Sequence, residues 1–254
     1  MGAGDWLMAA GEARHVHEKF GKPVVIVDGH HRPQWIDLWD GLPYILPRAT
    51  RGTIEVVSGP GVRPYIHSKG PTRWKWKKYA PKPAEMRFTL DEQRFALPFA
   101  GRVMIEPNVK AIGHLNKAWY WDRWQQLADK LRDDGVDLVQ CIGPLSERML
   151  AGVEVVQTRT FRQALAVLER CRALVTTEGG LMHGAAAVET PAVVLWSEFI
   201  SPEITGYAMH RNLRHAGPPC GMRLNCSGCR ASMAAITVDE IVENLKEILC
   251  PTPA

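Results

Sequence analysis

The chain has 254 residues, which is enough for one large domain or two small ones. Hydrophobic residues make up 46% and charged residues 23%, which excludes a disordered, collagen-like or coiled-coil chain, and no apolar run is long enough to span a membrane. The formal net charge of +4 permits an anionic ligand without requiring nucleic acid, and six scattered cysteines indicate a reducing, cytoplasmic setting rather than a disulfide scaffold.

The N-terminal region has α/β character. Apolar residues recur at steps of three and four over 6–20, which predicts a helix that ends at Gly21 as its C-terminal cap. A continuous apolar run predicts a buried strand at 23–27, and a second strand is predicted at 53–57. From there to residue 95 the pattern is weak, with many Pro, Gly, Trp and Arg residues.

A short basic and aromatic run, Arg73-Trp-Lys-Trp-Lys-Lys78, has two interpretations. It could bind an anionic acceptor, such as a phosphorylated sugar chain, through charge and ring stacking. The slightly favoured alternative is a strand or loop whose tryptophans turn inward and whose basic side chains face solvent. The run is too short to predict binding of single-stranded nucleic acid.

Beyond residue 100 strands and helices alternate regularly, which predicts a parallel sheet with helices on both faces. The predicted strands are 102–106, 136–142, 153–156, 172–176 and 191–196. The predicted helices are 120–132, 144–151, 161–169, 180–188 and 238–249. Thr237 is the expected N-cap of the last helix, with Glu240 completing a capping box. Ligands of such sheets bind at the carboxyl ends of the strands.

One strand-to-helix junction carries a distinctive pattern, Val175-Thr-Thr-Glu-Gly-Gly-Leu-Met-His183. Glycines allow a ligand to approach the backbone closely, and the free N–H groups of a helix N-terminus suit a phosphate. Glu178, ahead of the glycines, would orient hydroxyls rather than phosphates. A tight turn with a helix-capping acid would show the same glycine pattern.

The sequence after this junction, Gly184-Ala-Ala-Ala-Val-Glu-Thr-Pro-Ala-Val-Val-Leu-Trp-Ser197, extends the pattern. Together the two segments resemble the signature of glycosyltransferase family 9, the heptosyltransferases of lipopolysaccharide assembly. Gly180, His183, the alanines and Pro191 match that signature, whereas Glu178 stands where the family usually has Asp and Gly179 where it has Ser or Thr. Further blocks follow in family order, so that the resemblance covers residues 100–250: these are Arg102–Asn108, Lys117–Trp119, Gly143–Glu147 and Thr160–Thr176.

The resemblance implies an α/β, GT-B-like fold of two Rossmann-like domains facing a cleft. A reduced acceptor-side domain would span 1–97, and a domain that binds the nucleotide sugar would span 98–254. The implied activity is inverting, metal-independent transfer of a heptose-like sugar from an ADP-heptose-like donor to a hydroxyl of a glycan or lipid-linked acceptor, with no cofactor. The implied enzyme is bacterial and cytoplasmic, has no nucleic-acid partner or transmembrane segment, and contacts the membrane at most peripherally.

The resemblance also assigns residues to roles. Asp5, in the Gly4-Asp5 turn, would be the catalytic base, since an inverting transfer needs a carboxylate to deprotonate the attacking hydroxyl. Cations or N–H groups are needed at the departing diphosphate. Lys110 lies in the same loop as Asn108 and is a further candidate. The residues expected to bind the donor are Asn108, Lys117, Thr160, Glu178, Gly179, Gly180, Leu181, Met182 and His183.

Each of these side chains also has an ordinary structural role. Asp5 would cap helix 6–20, and Thr160 would cap helix 161–169. Lys117 would be a surface lysine if it were not beside two tryptophans, and His183 would be a satisfied interior histidine. The capping and catalytic roles of Asp5 are geometrically compatible.

Four cysteines are candidate metal ligands. Cys220, Cys226 and Cys229 lie in a Gly- and Pro-rich loop, and Cys250 follows the last helix. Four thiolates would complete a tetrahedral site, and a branch of the family that glycosylates autotransporter proteins holds iron with clustered cysteines. Only one Cys-x-x-Cys pair is present, which favours free cysteines over a metal site.

Other functions stay open on the sequence alone. The departures at Glu178 and Gly179 would suit a non-catalytic protein that binds nucleotide sugars or glycans. The cysteines would suit an autotransporter-type protein heptosyltransferase with a bound metal, or a metal-stabilised nucleic-acid-binding protein, against which the long α/β portion argues. The chain begins directly on the Gly4-Asp5 turn, where relatives first have a strand, so that we expect a trimmed acceptor domain or a start downstream of the true one, and fraying at Asp5.

Overall fold

The computed structural model describes residues 2–109, 115–143, 146 and 148–250. Lys110 of the Asn108 loop lies outside the described residues, as do Pro144, Leu145 and Glu147 of the predicted loop 143–147.

Helices and strands alternate through most of the described chain. The strands are β1 (Val24–Val27), β2 (Ile54–Val57), β3 (Ile66–Lys69), β4 (Trp74–Trp76), β5 (Val103–Glu106), β6 (Leu138–Ile142), β7 (Glu154–Gln157), β8 (Ala173–Thr177), β9 (Ala192–Trp196) and β10 (Arg211–Arg214). The helices are α1 (Ala3–Phe20), α2 (Leu90–Ala96), α3 (Trp121–Asp133), α4 (Phe161–Arg170), α5 (Gly180–Ala187), α6 (Pro202–Thr205), α7 (Ser227–Ala235) and α8 (Val238–Leu249). Short 3₁₀ turns lie at Asp37–Trp39, Leu97–Phe99 and Leu115–Lys117.

A six-stranded parallel sheet organises the C-terminal part, in the order β10-β9-β8-β5-β6-β7. The chain leaves β5 toward β6 on one side and returns to β8 on the other, which makes the carboxyl ends of β5 and β8 the switch point where such sheets bind ligands. In the N-terminal part β1 pairs with β2 in parallel, and β3 and β4 form an antiparallel hairpin. The predicted parallel sheet is confirmed.

The large sheet is buried on both faces, which explains its nearly continuous apolar strands. Val103 and Ile105 of β5 pack into a cluster with α3 and α8, while Met104 faces the opposite cluster. That second cluster also contains Leu7 and Ala10 of α1, together with residues of α4 and α5. The N-terminal helix and the C-terminal sheet therefore share one apolar core.

Glycines allow α1 and α5 to approach closely. A Cβ atom on Gly4 would lie 2.5 Å from Cδ2 of His183 and 3.4 Å from Cα of Gly180. The first distance is far too short for a real contact, and the second is at the short limit of ordinary van der Waals contact. Gly4 is needed here because a larger residue would push the start of α1 away from the start of α5.

Several helix boundaries differ from the sequence predictions. Helix α1 begins at Ala3 with Gly2 as its N-cap, so that Asp5 lies in the first turn and is not the cap residue. Gly21 does close this helix, with φ of 63°. Thr237 caps α8 as predicted, but the Glu240 carboxylate lies 2.8 Å from the His215 ring instead of completing a capping box.

The predicted helix 144–151 is wrong over its described residues, which are not helical. The buried Gln140 side chain takes the place of helical hydrogen bonds there: its Nε2 donates to the Arg148 carbonyl at 2.9 Å, and its Oε1 accepts from the Leu150 N–H at 2.9 Å. The elements that the pattern did not predict are α2, α6, α7, β3, β4 and β10. No helix among the described residues is both long and apolar enough to cross a bilayer.

Candidate active site

A cleft of about 760 Å³ opens at the carboxyl ends of β5, β6 and β8. The start of α1 and the β3–β4 hairpin form one side, and the loops after the strands of the large sheet form the other. Most of the predicted site residues line it: Asp5, Asn108, Lys117, Thr160, Glu178, Gly179, Gly180, Leu181 and His183. Met182 is fully buried, and its carbonyl oxygen lies 3.1 Å from the His210 ring, so that it can reach a ligand only through its backbone N–H.

Asp5 is held by three contacts on the α1 side of the cleft. Its Oδ1 accepts a hydrogen bond from the Tyr65 hydroxyl at 2.6 Å. Its Oδ2 lies 3.2 Å from the Arg63 guanidinium and accepts from the Gly2 N–H at 3.1 Å. Burial and the neighbouring carboxylate raise the pKa of Tyr65 well above its usual value, which keeps this hydroxyl a hydrogen-bond donor. The carboxylate is thus oriented by residues about 60 positions along the chain.

Lys117 and Glu178 form an ion pair on the opposite side of the cleft. The Lys117 ammonium also lies 5.2 Å from the centre of the Phe199 ring. Both charged side chains are largely buried, at 13% and 9% exposure, which makes their pairing necessary in the ligand-free protein. A diphosphate at this place would offer Lys117 a more highly charged partner than one carboxylate.

The first turn of α5 lies beside this pair. Its N-cap is Gly179, which has no side chain to hydrogen-bond to the helix start. The first N–H groups of a helix have no partner within the helix, and they carry the positive end of its dipole. The amides from Gly180 to Met182 are therefore suited to hold an anion.

His183 is an interior histidine with a cleft-facing edge. It is 3% exposed, and its Nδ1 lies 3.0 Å from the Tyr207 hydroxyl. Burial lowers the pKa of His183 to about 3, so that the ring is neutral at neutral pH. It can contribute a hydrogen bond to a ligand, but not a positive charge.

The basic and aromatic run of the sequence lies in β4 and the residues after it. Trp74 and Trp76 turn inward against Phe199, and the Trp76 Nε1 donates to the Phe199 carbonyl at 3.0 Å. Lys75, between them, is exposed, as are Lys77 and Lys78. The favoured interpretation of this run is confirmed, and both tryptophans also line the cleft.

Two predicted donor-side residues have structural partners. Thr160 caps α4, because its hydroxyl accepts from the Gln163 N–H at 3.1 Å. The Asn108 backbone and side-chain nitrogens both donate to Oε1 of Glu106 at 2.8 Å. Sequence reasoning did not single out Glu106, or Arg63 and Tyr65 around Asp5. The only signal for Glu106 was an acid at the end of an otherwise apolar strand.

Three of the four candidate cysteines come together. The sulfur atoms of Cys220, Cys226 and Cys229 all lie within 4.8 Å of one another. The Sγ of Cys220 lies 3.8 Å from that of Cys226 and 3.5 Å from that of Cys229. Cys250 is an exposed free cysteine outside this group. Thiolates at 2.3 Å from a tetrahedral ion lie about 3.8 Å apart, so the cluster fits three ligands of such a site.

The cysteine loop contacts the turn that carries Lys117. The Asn116 side chain donates to the carbonyls of Met222 and Leu224, each at 2.7 Å, and accepts from the Cys226 N–H at 3.1 Å. Burial raises the pKa of the Cys220 and Cys229 thiols. At Cys226 burial is outweighed by hydrogen bonds, first from the Cys229 N–H, which lower the thiol's pKa.

Comparison with solved structures shows the same fold. ADP-heptose lipopolysaccharide heptosyltransferase II from E. coli is 22% identical with a TM-score of 0.51, over 65% of this chain and 53% of that one. A family 9 glycosyltransferase from Veillonella parvula is 16% identical with a TM-score of 0.51, over 68% and 56%. The chain thus spans about half the length of these GT-B-like structures. No curated protein sequence matches it.

The sequence model of glycosyltransferase family 9 (heptosyltransferase) matches residues 71–223, which is more than half of the chain. The matched range contains Lys117, Glu178 and the start of α5. The chain belongs to glycosyltransferase family 9.

Proposed function

We propose that this chain is an inverting glycosyltransferase that moves a heptose-like sugar from a nucleoside-diphosphate donor to a hydroxyl of a glycan or lipid-linked acceptor. The observation that carries the proposal is one cleft lined by an oriented carboxylate, Asp5, and by a separate cationic region, Lys117 with the start of α5. These are the two chemical requirements of the reaction. An ADP-heptose-like donor and a lipopolysaccharide acceptor are suggested by the named E. coli relative.

The donor side would hold the diphosphate. Lys117 and the amides from Gly180 to Met182 would neutralise its charge as the bond from the anomeric carbon to the phosphate oxygen breaks. Glu178, released from Lys117, would orient a hydroxyl of the donor. We assign this role to residues 98–254.

The acceptor side, assigned to residues 1–97, would contain Asp5. The acceptor oxygen would form the new bond to the anomeric carbon while its proton passes to an Asp5 oxygen. Arg63, Lys69 and Arg223 surround the Trp74 ring at 5.5–5.7 Å, which favours an acceptor with an anionic group. A lipid-linked acceptor implies peripheral contact with a bacterial membrane from the cytoplasmic side, and the free cysteines suit that compartment.

Calorimetry tests the donor side. The purified chain is titrated with ADP-heptose and with UDP- and GDP-sugars, and released nucleoside diphosphate is measured after addition of acceptor. We expect one donor class to bind, and Lys117→Met to weaken it about 10–100-fold, because a hydrogen bond to a charged group contributes roughly 1.5–3 kcal/mol.

Two variants control this titration. Lys130→Met removes an exposed lysine that pairs with Asp239 and should leave donor affinity unchanged. Lys117→Met combined with Glu178→Gln removes the carboxylate that the single variant leaves unpaired in the cleft. If none of the donors binds the wild-type chain, the proposed function is contradicted.

The cysteine cluster favours a second candidate function, an autotransporter-type protein heptosyltransferase with a cysteine-bound metal. Cys220, Cys226 and Cys229 would supply three thiolates to a soft metal such as zinc or iron. A bound ion would hold together the loop that contacts Asn116 and the β3–β4 hairpin.

Metal analysis of the purified protein tests this site. We expect about one equivalent of zinc or iron per chain, lost in Cys226→Ser and retained in Cys250→Ser, whose thiol is exposed and outside the cluster. Removal of the ion with a chelator should lower the melting temperature. If the purified chain is metal-free, and neither zinc nor iron raises its melting temperature on titration, the result argues against the site.

A further inference from the structure

Glu106 is a buried carboxyl group at the floor of the cleft. It is the last residue of β5, between β6 and β8 at the switch point of the large sheet. Its residue surface is only 6% exposed, yet it lines the cleft. A carboxyl at this position costs free energy unless its oxygens have hydrogen-bond partners.

One of its two oxygens is already used. Oε1 accepts from both the backbone N–H and the side-chain amide of Asn108, each at 2.8 Å, and this fixes the loop after β5. The contacts of the described residues give Oε2 no partner and give the carboxyl no paired cation. Glu178, by contrast, is neutralised by Lys117.

We infer that Oε2 of Glu106 accepts a hydrogen bond from a sugar hydroxyl of the bound nucleotide sugar, which makes Glu106 a specificity-determining residue. The inference rests on the proposed function. The ligand must present a neutral hydrogen-bond donor, since phosphate oxygens would be repelled by a carboxylate. Both the ribose and the transferred sugar carry such hydroxyls, and ligands that lack one set or the other distinguish them.

Burial raises the pKa of Glu106 to about 7, against the lowering effect of its bonds from Asn108. A hydroxyl donated to Oε2 favours the charged form, so that ligand binding should strengthen as pH rises through 7. The other titratable side chains that line the cleft among the described residues are Asp5, Arg63, Tyr65, Lys117, Cys141, Arg159, Glu178 and His183.

Binding of three ligands shows whether the hydroxyl belongs to the ribose or to the transferred sugar. ADP carries the ribose hydroxyls, 2′,3′-dideoxy-ADP lacks them, and ADP-heptose adds those of the transferred sugar. The dissociation constant of each is measured for wild type, Glu106→Gln and Cys141→Ala at pH 6 and pH 8. Glu106→Gln keeps an oxygen for Asn108 and replaces the other with an amide. Cys141→Ala changes a neighbouring lining residue on β6 that makes no such bond.

We expect Glu106→Gln to weaken hydroxyl-bearing ligands about 10–100-fold. If the hydroxyl belongs to the ribose, the variant should bind ADP and ADP-heptose more weakly than wild type does, while its affinity for 2′,3′-dideoxy-ADP should be unchanged. If the hydroxyl belongs to the transferred sugar, only the affinity for ADP-heptose should fall. In either case the gain in affinity from pH 6 to pH 8 should be larger for wild type than for Glu106→Gln, and Cys141→Ala should follow wild type.

Equal weakening of all three ligands would mean that Glu106 only supports the loop, and would overturn the inference. So would unchanged affinities in Glu106→Gln. A wild-type chain that binds none of the three ligands contradicts the proposed function itself, and this inference falls with it.

Discussion

Asp5→Asn is expected to lower the rate of sugar transfer by about 10²–10⁴-fold while leaving the donor dissociation constant unchanged, because in the proposed mechanism Asp5 accepts the proton and does not contact the donor. The asparagine oxygen can still accept from Tyr65 and the side chain has nearly the same volume, but its amide group no longer pairs with Arg63 or accepts from the Gly2 N–H. The measurement is turnover of nucleotide sugar with acceptor present, together with calorimetry of the donor alone.

The matched control is Glu18→Gln, a second acid on α1, which is exposed and pairs with Arg14. It should turn over like wild type, and circular dichroism should show both variants folded. Undiminished transfer by folded Asp5→Asn would place the base elsewhere. Donor binding by wild type without transfer to any acceptor would favour the non-catalytic binding protein instead.

Arg162→Met is expected to lower the free energy of unfolding by about 3–5 kcal/mol, because it leaves the largely buried Glu92 carboxylate without its cation. Arg162, in α4, forms a bidentate salt bridge with Glu92 of α2, in which Nε donates to Oε1 at 2.7 Å and Nη2 donates to Oε2 at 2.8 Å. The same guanidinium donates to the carbonyls of Asp37 and Arg87 at 2.9 and 2.6 Å. Urea unfolding followed by tryptophan fluorescence measures the loss.

Two further variants test the cause of this loss. Glu92→Met combined with Arg162→Met removes both charges and should recover part of the stability. Arg170→Met, an exposed arginine at the end of the same helix, should change the free energy of unfolding by less than about 0.5 kcal/mol. A small effect of Arg162→Met alone would show that this side chain is not an important link between the two parts of the chain.

The sequence predicted the elements whose own pattern determines them. The strands β5, β8 and β9 were readable because burial on both faces requires continuous apolar runs, and α8 because its apolar stripe follows a Thr cap. The β3–β4 hairpin was not readable, since its tryptophans are placed by contact with Phe199, more than 120 residues away. Residues 148–150 were misassigned as helix because Gln140, on another element, satisfies their backbone.

The residues of the candidate site also fall into those that the sequence could predict and those that it could not. Asp5, Lys117 and Glu178 could be named from local motifs, and the structure brings all three to one cleft. Tyr65 and Arg63 could not be predicted, because nothing near them in the sequence indicates that they contact Asp5, about 60 residues earlier in the chain. A pairing that forms only through folding leaves no local pattern.

The missing side chain of Gly4 determines where the neighbouring Asp5 carboxylate lies. Asp5 follows a residue whose Cα faces the His183 ring, and His183 belongs to the helix whose first residues line the same cleft. Rotation of α1 about its axis, or insertion of even one methyl group at Gly4, would move the Asp5 carboxylate relative to the start of α5. The position of the Asp5 carboxylate relative to the first amides of α5 is therefore set by helix packing in the core, and in the proposed mechanism this packing would align the base with the leaving group.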